Sequence, residues 1–155
     1  MHPAPPVRPA VPADTEALHG LVQAAYRHYI PRIGREPKPM TIDYGPAVEA
    51  GDAFVIDAGD GDDGIQAVLV LHVSDHVLID NIAVRPTAQG KGLGSELMAF
   101  AERHARSCGL DELRLFTHEL MTENQAYYRR RGYVETHREG PAGRVFFSKR
   151  LAPGG

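Results

Sequence analysis

One stretch of the chain decides its fold class: Ile79-Asp80-Asn81-Ile82-Ala83-Val84-Arg85-Pro86-Thr87-Ala88-Gln89-Gly90-Lys91-Gly92-Leu93-Gly94-Ser95. It begins as an apolar, β-branched strand that ends at Val84, because Pro86 removes a ladder donor and restricts the residue before it. Three glycines follow within five residues, and from Leu93 to Cys108 apolar residues recur at helical spacing. This order of strand, glycine-rich turn and helix directs backbone N–H groups and the positive end of the helix dipole to one place, which suits a phosphate.

The glycine spacing distinguishes between kinds of phosphate loop. A Walker loop needs four residues between a glycine and Gly-Lys-Ser/Thr, which this stretch lacks, and a dinucleotide fingerprint would need glycine where Ser95 stands. The pattern Gln-x-x-Gly-x-Gly does fit, at Gln89, Gly92 and Gly94. Placed after Asn-Ile-Ala-Val-x-Pro, it resembles the acyl-CoA loop of the GCN5-related N-acetyltransferase (GNAT) superfamily.

Composition limits the classes of protein to consider. The chain has 155 residues, enough for one domain, and its net charge of −3 argues against general nucleic-acid binding. We expect no membrane span, because no apolar run approaches 18 residues, and no signal peptide at the N-terminus. The single cysteine, Cys108, fits a reducing cytoplasm, and its place on the apolar stripe of the helix predicts burial.

The N-terminal third reads as helical with short irregular connections. Residues 1–6 are expected to form a flexible tail, and residues 7–151 a single domain. A short strand is predicted at 7–10, then a helix capped by Asp14 or Thr15 and ended by Pro31. An irregular loop over 31–40 and a short helix within 42–50 follow.

The strands that follow are predicted from apolar runs between turn signals. Residues 54–56 and 67–73 form a hairpin across a solvated turn at 59–64, and 77–84 is the third strand of an antiparallel meander. The glycine-loop helix then crosses to a parallel strand at 113–117. Residues 133–135 and 145–147 close the chain as a hairpin. The fold class is α/β (α+β), a mixed, largely antiparallel sheet of about six to seven strands with helices on both faces.

A second helix before the last hairpin carries strong end signals. Thr122 is predicted as N-cap with Gln125 at the third helical position, which is a capping box, and Met121 with Ala126 would form a hydrophobic staple. Gly132 is placed to end the helix in the left-handed conformation. The run Asn124-Gln125-Ala126-Tyr127-Tyr128-Arg129-Arg130-Arg131-Gly132-Tyr133 resembles the second GNAT motif, although its alanine is one place closer to the asparagine than the family pattern has it.

Together the two motifs extend the resemblance over roughly residues 7 to 150, and it implies acetyl-CoA as co-substrate. In GNAT proteins the strand carrying Ile82, Ala83 and Val84 splays from its neighbour, and the freed backbone binds pantetheine and the acyl carbonyl. The Val84 N–H would polarise the thioester oxygen. The pyrophosphate would contact the backbone from Gln89 through Gly90, Lys91, Gly92, Leu93 and Gly94 to Ser95. Asn124 and Tyr128 would face pantetheine and sulfur, with Tyr128 as the acid.

A base is needed as well, because an ammonium must lose a proton before its nitrogen attacks. Asp80 is the first candidate, since it interrupts an apolar strand where a carboxylate is costly without a partner or a role. His72, His118 and Glu119 remain alternatives. The eight histidines show no metal-ligand spacing such as His-Glu-x-x-His, so no metal is predicted.

The least generic segment runs from Tyr26 to Tyr44, where GNAT proteins form one wall of the acceptor groove. We predict a pocket lined by Tyr29, Arg32, Arg35, Met40, Asp43 and Tyr44, although a proline-braced surface loop is an equal alternative. Its arginines would suit an acceptor with a carboxylate or phosphate.

These signals favour an acyltransferase that moves an acetyl group from acetyl-CoA to a primary amine of a small molecule by direct attack in a ternary complex. An N-acetyltransferase of proteins or peptides and a non-catalytic acyl-CoA-binding sensor are the alternatives. No nucleic acid or membrane is expected as partner, and the protein is expected to be a monomer or homodimer. The sequence leaves the acceptor amine, the acyl chain and the base unassigned.

Overall fold

A computed structural model describes residues 6–57, 64–141 and 143–152 of the chain. Seven strands and five helices are described, together with short 3-10 turns. The strands are β1 (Val7–Pro9), β2 (Ala53–Asp57), β3 (Ile65–Val73), β4 (Val77–Val84), β5 (Glu112–His118), β6 (Val134–Glu139) and β7 (Arg144–Arg150). The helices are α1 (Thr15–Tyr26), α2 (Ile30–Ile33), α3 (Gly45–Glu49), α4 (Leu93–Ser107) and α5 (Thr122–Arg130). The predicted tail and the predicted turn at 59–64 fall almost entirely outside the described residues.

The strands form one sheet in the order β1-β2-β3-β4-β5-β7-β6. β4 and β5 are parallel, whereas β1 with β2, β2 with β3, β5 with β7 and β6 with β7 are antiparallel. A parallel pair requires a long crossover, and α4 provides it between β4 and β5. The predicted mixed, largely antiparallel sheet is therefore confirmed.

The chain divides into two compact units. The first unit contains residues up to Leu71 together with Asn81–Phe100, and the second contains His72–Asp80 together with the chain from Ala101 onward. The single domain over 7–151 stays a prediction.

Within the first unit, the apolar stripe of α1 packs into the core. Leu18, Leu21 and Val22 are fully buried in a cluster that also holds Val55 and Val68. Burying such side chains is worth about 1.5–3 kcal/mol each, so this cluster holds α1 in place. The prediction that Pro31 ends the helix is wrong, because the chain continues through a 3-10 turn into α2, where proline is tolerated in the first turn.

In the second unit the core lies between β5, β7 and the end of α4. Leu113, Val145 and Ala105 are fully buried, and Phe147 is nearly so. Cys108, one residue beyond the end of α4, is exposed. The prediction of a buried Cys108 is therefore wrong, because the helix stops before its apolar stripe reaches that position.

The start of α5 also differs from its prediction. The helix begins at Thr122 with Met121 as N-cap, and no side chain caps it. Gln125 is buried, and its amide donates to the carbonyls of His118 and Glu119 at 3.3 and 2.8 Å, which anchors the helix to the end of β5. The capping box is therefore wrong.

The end of α5 is as predicted. Gly132 has φ of 94°, its N–H donates to the Arg129 carbonyl, and the Tyr133 N–H donates to the Tyr128 carbonyl. This is the Schellman pattern, in which a left-handed glycine lets the chain turn back and pair the last carbonyls.

Candidate active site

β4 presents two different faces. Its side chains alternate from buried Val77 to half-buried Val84, so Asn81 and Ala83 point into the core while Asp80, Ile82 and Val84 share the other, partly exposed face. The ladder with β5 covers Val77–Ile79 opposite Leu113–Leu115. The residues predicted to bind the acyl group thus lie on the part of β4 that follows this ladder.

The end of β4 is fixed to β3 by Arg85. Its backbone N–H donates to the Gln66 carbonyl at 2.8 Å, and its guanidinium donates to the Ile65 carbonyl at 3.2 and 3.0 Å. The Gln89 amide donates back to the Val84 carbonyl at 3.3 Å, which ties the loop to the strand. The start of the glycine loop is therefore hydrogen-bonded to both β3 and β4.

The loop itself needs glycine for conformational reasons at two positions. Gly90 and Gly92 have φ of 82° and 81°, in the left-handed region that other residues rarely adopt. α4 begins directly afterward at Leu93, and the Glu96 N–H donates to the Gly92 carbonyl at 3.0 Å. The Leu93 and Gly94 amides lie in the first turn, where a helix cannot pair its own N–H groups. Such a turn binds anions.

Gly94 differs from these two glycines, because its φ is not positive. A Cβ placed there would meet only Val84 Cγ2 at 3.9 Å, an ordinary contact distance. The protein alone therefore does not require glycine at position 94. Of the other predicted loop residues, Gln89, Gly90, Lys91, Gly92 and Ser95 are exposed, while Leu93 is buried.

Tyr128 and Asn124 lie one turn apart on α5, as the second motif predicts. Tyr128 is only 8% exposed, and its ring lies 6.1 Å from the rings of both Tyr133 and Phe147. Asn124 is half-buried, and its amide lies 3.6 Å from Met121 Sδ. The ring of Tyr128 is thus held in place by aromatic packing on a helix whose two ends are anchored.

Next to Tyr128, Tyr133 is buried, and its hydroxyl has no hydrogen-bond partner among the described residues. Burial raises the pKa of the Tyr133 hydroxyl, and the nearby Glu102 carboxylate raises it further. Tyr133 is therefore a neutral packing residue at physiological pH.

The four candidate bases differ in the contacts that they make. His72 Nε2 lies 3.4 Å from Asp80 Oδ2, so two candidates form one pair. His118 Nδ1 accepts a hydrogen bond from the Leu120 N–H at 3.0 Å, so in the neutral ring Nε2 carries the proton and offers no lone pair. Glu119 is exposed. Of these four candidates, His72 and Asp80 are the two that contact each other.

Residues 29–44, which we call the acceptor segment, contain the predicted pocket residues, and some of these are exposed while others are buried. Arg32, Arg35 and Asp43 are exposed, and the Arg32 guanidinium lies 5.0 Å from the centre of the Tyr29 ring. Tyr29, Met40 and Tyr44 are buried, with Tyr44 only 1% exposed. Tyr44 therefore belongs to the core cluster.

The segment is held by residues that the sequence analysis did not single out. The Gln23 amide donates to the Met40 carbonyl at 2.6 Å, and His19 Nε2 accepts from the Tyr44 N–H at 2.9 Å. The side chains of Asn81 and Tyr26 form further hydrogen bonds, with Tyr44 and with each other. The sequence does hold a signal that could have identified Asn81, because it is a polar residue on the core face of an apolar strand.

No group of three or more metal-ligating side chains occurs in the part of the chain that the structure describes. Over the same residues, no helix has the length and apolar character needed to cross a membrane.

Comparison with known proteins agrees with this geometry. Residues 18–133, which include both motifs, match the model of the acetyltransferase (GNAT) family. The chain belongs to the GNAT acetyltransferase family. A curated relative is the aminoalkylphosphonate N-acetyltransferase of Salmonella typhimurium, 34% identical over 59 residues. The match covers 38% of each of the two chains, so this chain spans little more than a third of that relative's length.

Solved GNAT structures share the fold. The PaiA N-acetyltransferase of Thermoplasma acidophilum, in complex with coenzyme A, has a TM-score of 0.83 at 15% identity over 96% of this chain and 100% of that chain. The ribosomal-protein-S18-alanine N-acetyltransferase of Escherichia coli has a TM-score of 0.71 at 17% identity over 98% and 97%. At these identities the likeness concerns the fold alone.

Proposed function

We propose that this GNAT protein transfers an acetyl group from acetyl-CoA to a primary amine of a small molecule that also carries an anionic group. The observation that carries the proposal is the loop before α4, where Gly90 and Gly92 adopt left-handed conformations and the helix starts at once. Together with family membership, this supports binding of an acyl-CoA pyrophosphate. Acetyl-CoA would supply the activated acetyl group as a thioester.

The proposed roles follow the family resemblance. The backbone of Ile82, Ala83 and Val84 holds the acyl end, with the Val84 N–H donating to the carbonyl oxygen as negative charge develops there. The backbone of Gln89 to Ser95 holds the pyrophosphate. The ammonium proton first passes to the pair of His72 and Asp80, directly or through water, and the neutral amine nitrogen then bonds to the acetyl carbon. As the carbon–sulfur bond breaks, Tyr128 gives its proton to the departing thiolate, and the second proton that the nitrogen loses in forming the amide restores the Tyr128 hydroxyl.

The anionic acceptor is supported by two observations. Arg32 and Arg35 are exposed on the acceptor segment, and guanidinium groups bind carboxylate and phosphate oxygens in pairs. In addition, the curated relative that shares part of the sequence is named for an aminoalkylphosphonate, an amine that bears an anion. Peptide acetylation and non-catalytic acyl-CoA sensing remain the alternatives.

A panel of amines, assayed by release of free CoA from acetyl-CoA, tests the proposal. It should contain an aminoalkylphosphonate, the alkylamine of equal length without the phosphonate, and a peptide with a free N-terminus. We expect turnover with the phosphonate and much less with the plain amine. Turnover with the peptide alone would favour the second hypothesis, and acetyl-CoA binding without turnover of any amine would favour a sensor.

A further inference from the structure

Asn81 is a buried polar residue that the acetyl-transfer roles above do not use. It is 4% exposed and stands on the core face of β4, between Ile79 and Ala83. A buried carboxamide is costly unless its oxygen and nitrogen are both hydrogen-bonded. The contacts of Asn81 therefore show what the residue is for.

Asn81 lies in the middle of a directed chain of hydrogen bonds. The Tyr44 hydroxyl donates to the Pro39 carbonyl at 2.8 Å, and a carbonyl can only accept. Tyr44 must therefore accept from the Asn81 amide nitrogen, at 3.1 Å, and this fixes the orientation of the amide. The Asn81 oxygen then accepts from the Tyr26 hydroxyl at 2.8 Å. The Tyr44 and Asn81 protons in this chain each have one direction, while the Tyr26 hydroxyl has two acceptors, the Asn81 oxygen and the Ile82 carbonyl.

The two ends of the chain lie at functionally different places. Pro39 lies in the acceptor segment. The Tyr26 hydroxyl also lies 3.2 Å from the carbonyl of Ile82, a residue proposed to hold the acyl end. Asn81 itself directly precedes Ile82 on β4. One side chain thus connects the acceptor segment to the strand that would carry the acetyl group.

We propose that Asn81 is a positioning residue that sets the acceptor segment in register with the acyl-binding part of β4, an inference that rests on the proposed function. The chemistry favours asparagine at this position, because its carboxamide presents a donor toward Tyr44 and an acceptor toward Tyr26 on one short side chain. A carboxylate lacks the donor, and a leucine of similar size lacks both groups. Fixing this register aligns the amine with the thioester, where an error of about 1 Å can cost up to about 100-fold in rate.

The test compares Asn81→Leu, Tyr44→Phe and the double variant with wild type, on an acceptor that wild type acetylates. Tyr133→Phe is the matched control, because it also removes a buried tyrosine hydroxyl, one without a partner in the described structure. Three quantities are measured: kcat/KM for the amine, Kd for acetyl-CoA, and the ratio of acetyl-CoA hydrolysis to amine acetylation. We expect kcat/KM to fall about 10- to 100-fold and the hydrolysis ratio to rise, while Kd stays within about twofold.

The double variant should lose no more than Asn81→Leu alone, because both changes break one chain. Tyr133→Phe should leave all three quantities unchanged. Hydrogen exchange at residues 37–44 adds a readout that needs no activity, and we expect faster exchange there in Asn81→Leu and Tyr44→Phe but not at residues 85–95.

The outcomes separate the two proposals. A wild type that acetylates no amine overturns the proposed function, and exchange then decides whether Asn81 holds the segment. Unchanged exchange in both variants overturns the inference. An active wild type whose variants lose acetylation and acetyl-CoA affinity in parallel, or lose neither, also overturns it, because the residue would then support the fold only.

Discussion

His72 Nε2 and Asp80 Oδ2 lie 3.4 Å apart, on β3 and β4, the neighbouring strands of the sheet. The sequence offered these two residues as separate candidates for the base. Their pairing places a carboxylate beside an imidazole, and under the proposed function the two groups would take up the ammonium proton together.

Asp80→Asn and His72→Gln should both lower turnover, and most strongly at low pH, where free amine is scarce. A positioned base contributes typically about 10²- to 10⁴-fold, and we expect losses toward the lower end of that range. Full pH–rate profiles of the two variants provide the measurement, with His118→Gln as control. Unchanged profiles in both would move the role to Glu119 or to bulk solvent.

Gly94→Ala should weaken acetyl-CoA binding without weakening the fold. The protein has room for a Cβ at position 94 and no left-handed backbone there, and alanine is the better helix former. If the variant loses affinity for acetyl-CoA, the added methyl group must therefore clash with the ligand, which would show that the pyrophosphate lies close to the backbone at position 94. Isothermal titration with acetyl-CoA, and the rise in Tm that the ligand causes, measure it.

Gly20→Ala is the matched control for that experiment, since Gly20 also lies in a helix and has open space where a Cβ would stand. We expect normal affinity from it. Gly92→Asp, which adds bulk and charge at a left-handed position, should abolish the rise in Tm. If Gly92→Asp folds and binds acetyl-CoA as wild type does, the loop has been assigned to the wrong ligand.

Tyr128→Phe should cut turnover by at least about 100-fold with little change in acetyl-CoA affinity, because a positioned acid contributes about 10²- to 10⁴-fold. A phenol titrates near 10 and a thiol near about 8.5, so a tyrosine carries a proton to give at neutral pH. Tyr127→Phe, one residue earlier on α5, is the control. Near wild-type turnover, with chemistry shown to be rate-limiting, would leave Tyr128 as a core residue.

Arg35→Ala should raise KM for an anionic amine and leave acetyl-CoA affinity unchanged. Arg35 lies in the acceptor segment and is exposed, so truncating its side chain should not disturb packing. Arg103→Ala, an exposed arginine on α4, serves as control. The effect should vanish for an amine without the anion, and equal loss of affinity for both substrates would instead indicate a role in stability.

Acid should weaken the N-terminal strand through Arg8. Its guanidinium donates to Asp14 and to Asp57, and these hydrogen bonds hold the pKa of both carboxyls below the usual value. Groups with a lowered pKa in the folded state stabilise it above the unfolded pKa of about 3.9, and that contribution is lost as pH falls through the lowered values.

Asp57→Asn should therefore lower the free energy of unfolding at pH 7 and make its decline below about pH 5 shallower. Urea unfolding across a pH series measures both effects, with Glu49→Gln as the control. Because Asp57 is about half exposed, added salt should reduce the difference. A decline as steep as that of wild type would show that other carboxyls dominate.

Local signals predicted the elements well where they were strong. β4 was predicted at 77–84 and is observed there, and the left-handed glycine after α5 was predicted from position alone. The failures are at element ends, where tertiary contacts compete with local rules. Gln125 donates to the carbonyls of His118 and Glu119 at the end of β5 instead of completing a capping box, and Pro31 is accommodated in the first turn of α2.

By itself, the sequence determined the order of elements, the glycine loop and the family, because apolar periodicity, glycine conformations and motif spacing are properties of neighbouring residues. Only the tertiary structure decided which polar side chains meet. It paired His72 with Asp80 across two strands and linked Asn81 to Tyr44, 37 residues away along the chain. Such contacts depend on which strand or helix each residue packs against, and this is set by the burial of the core rather than by any local pattern.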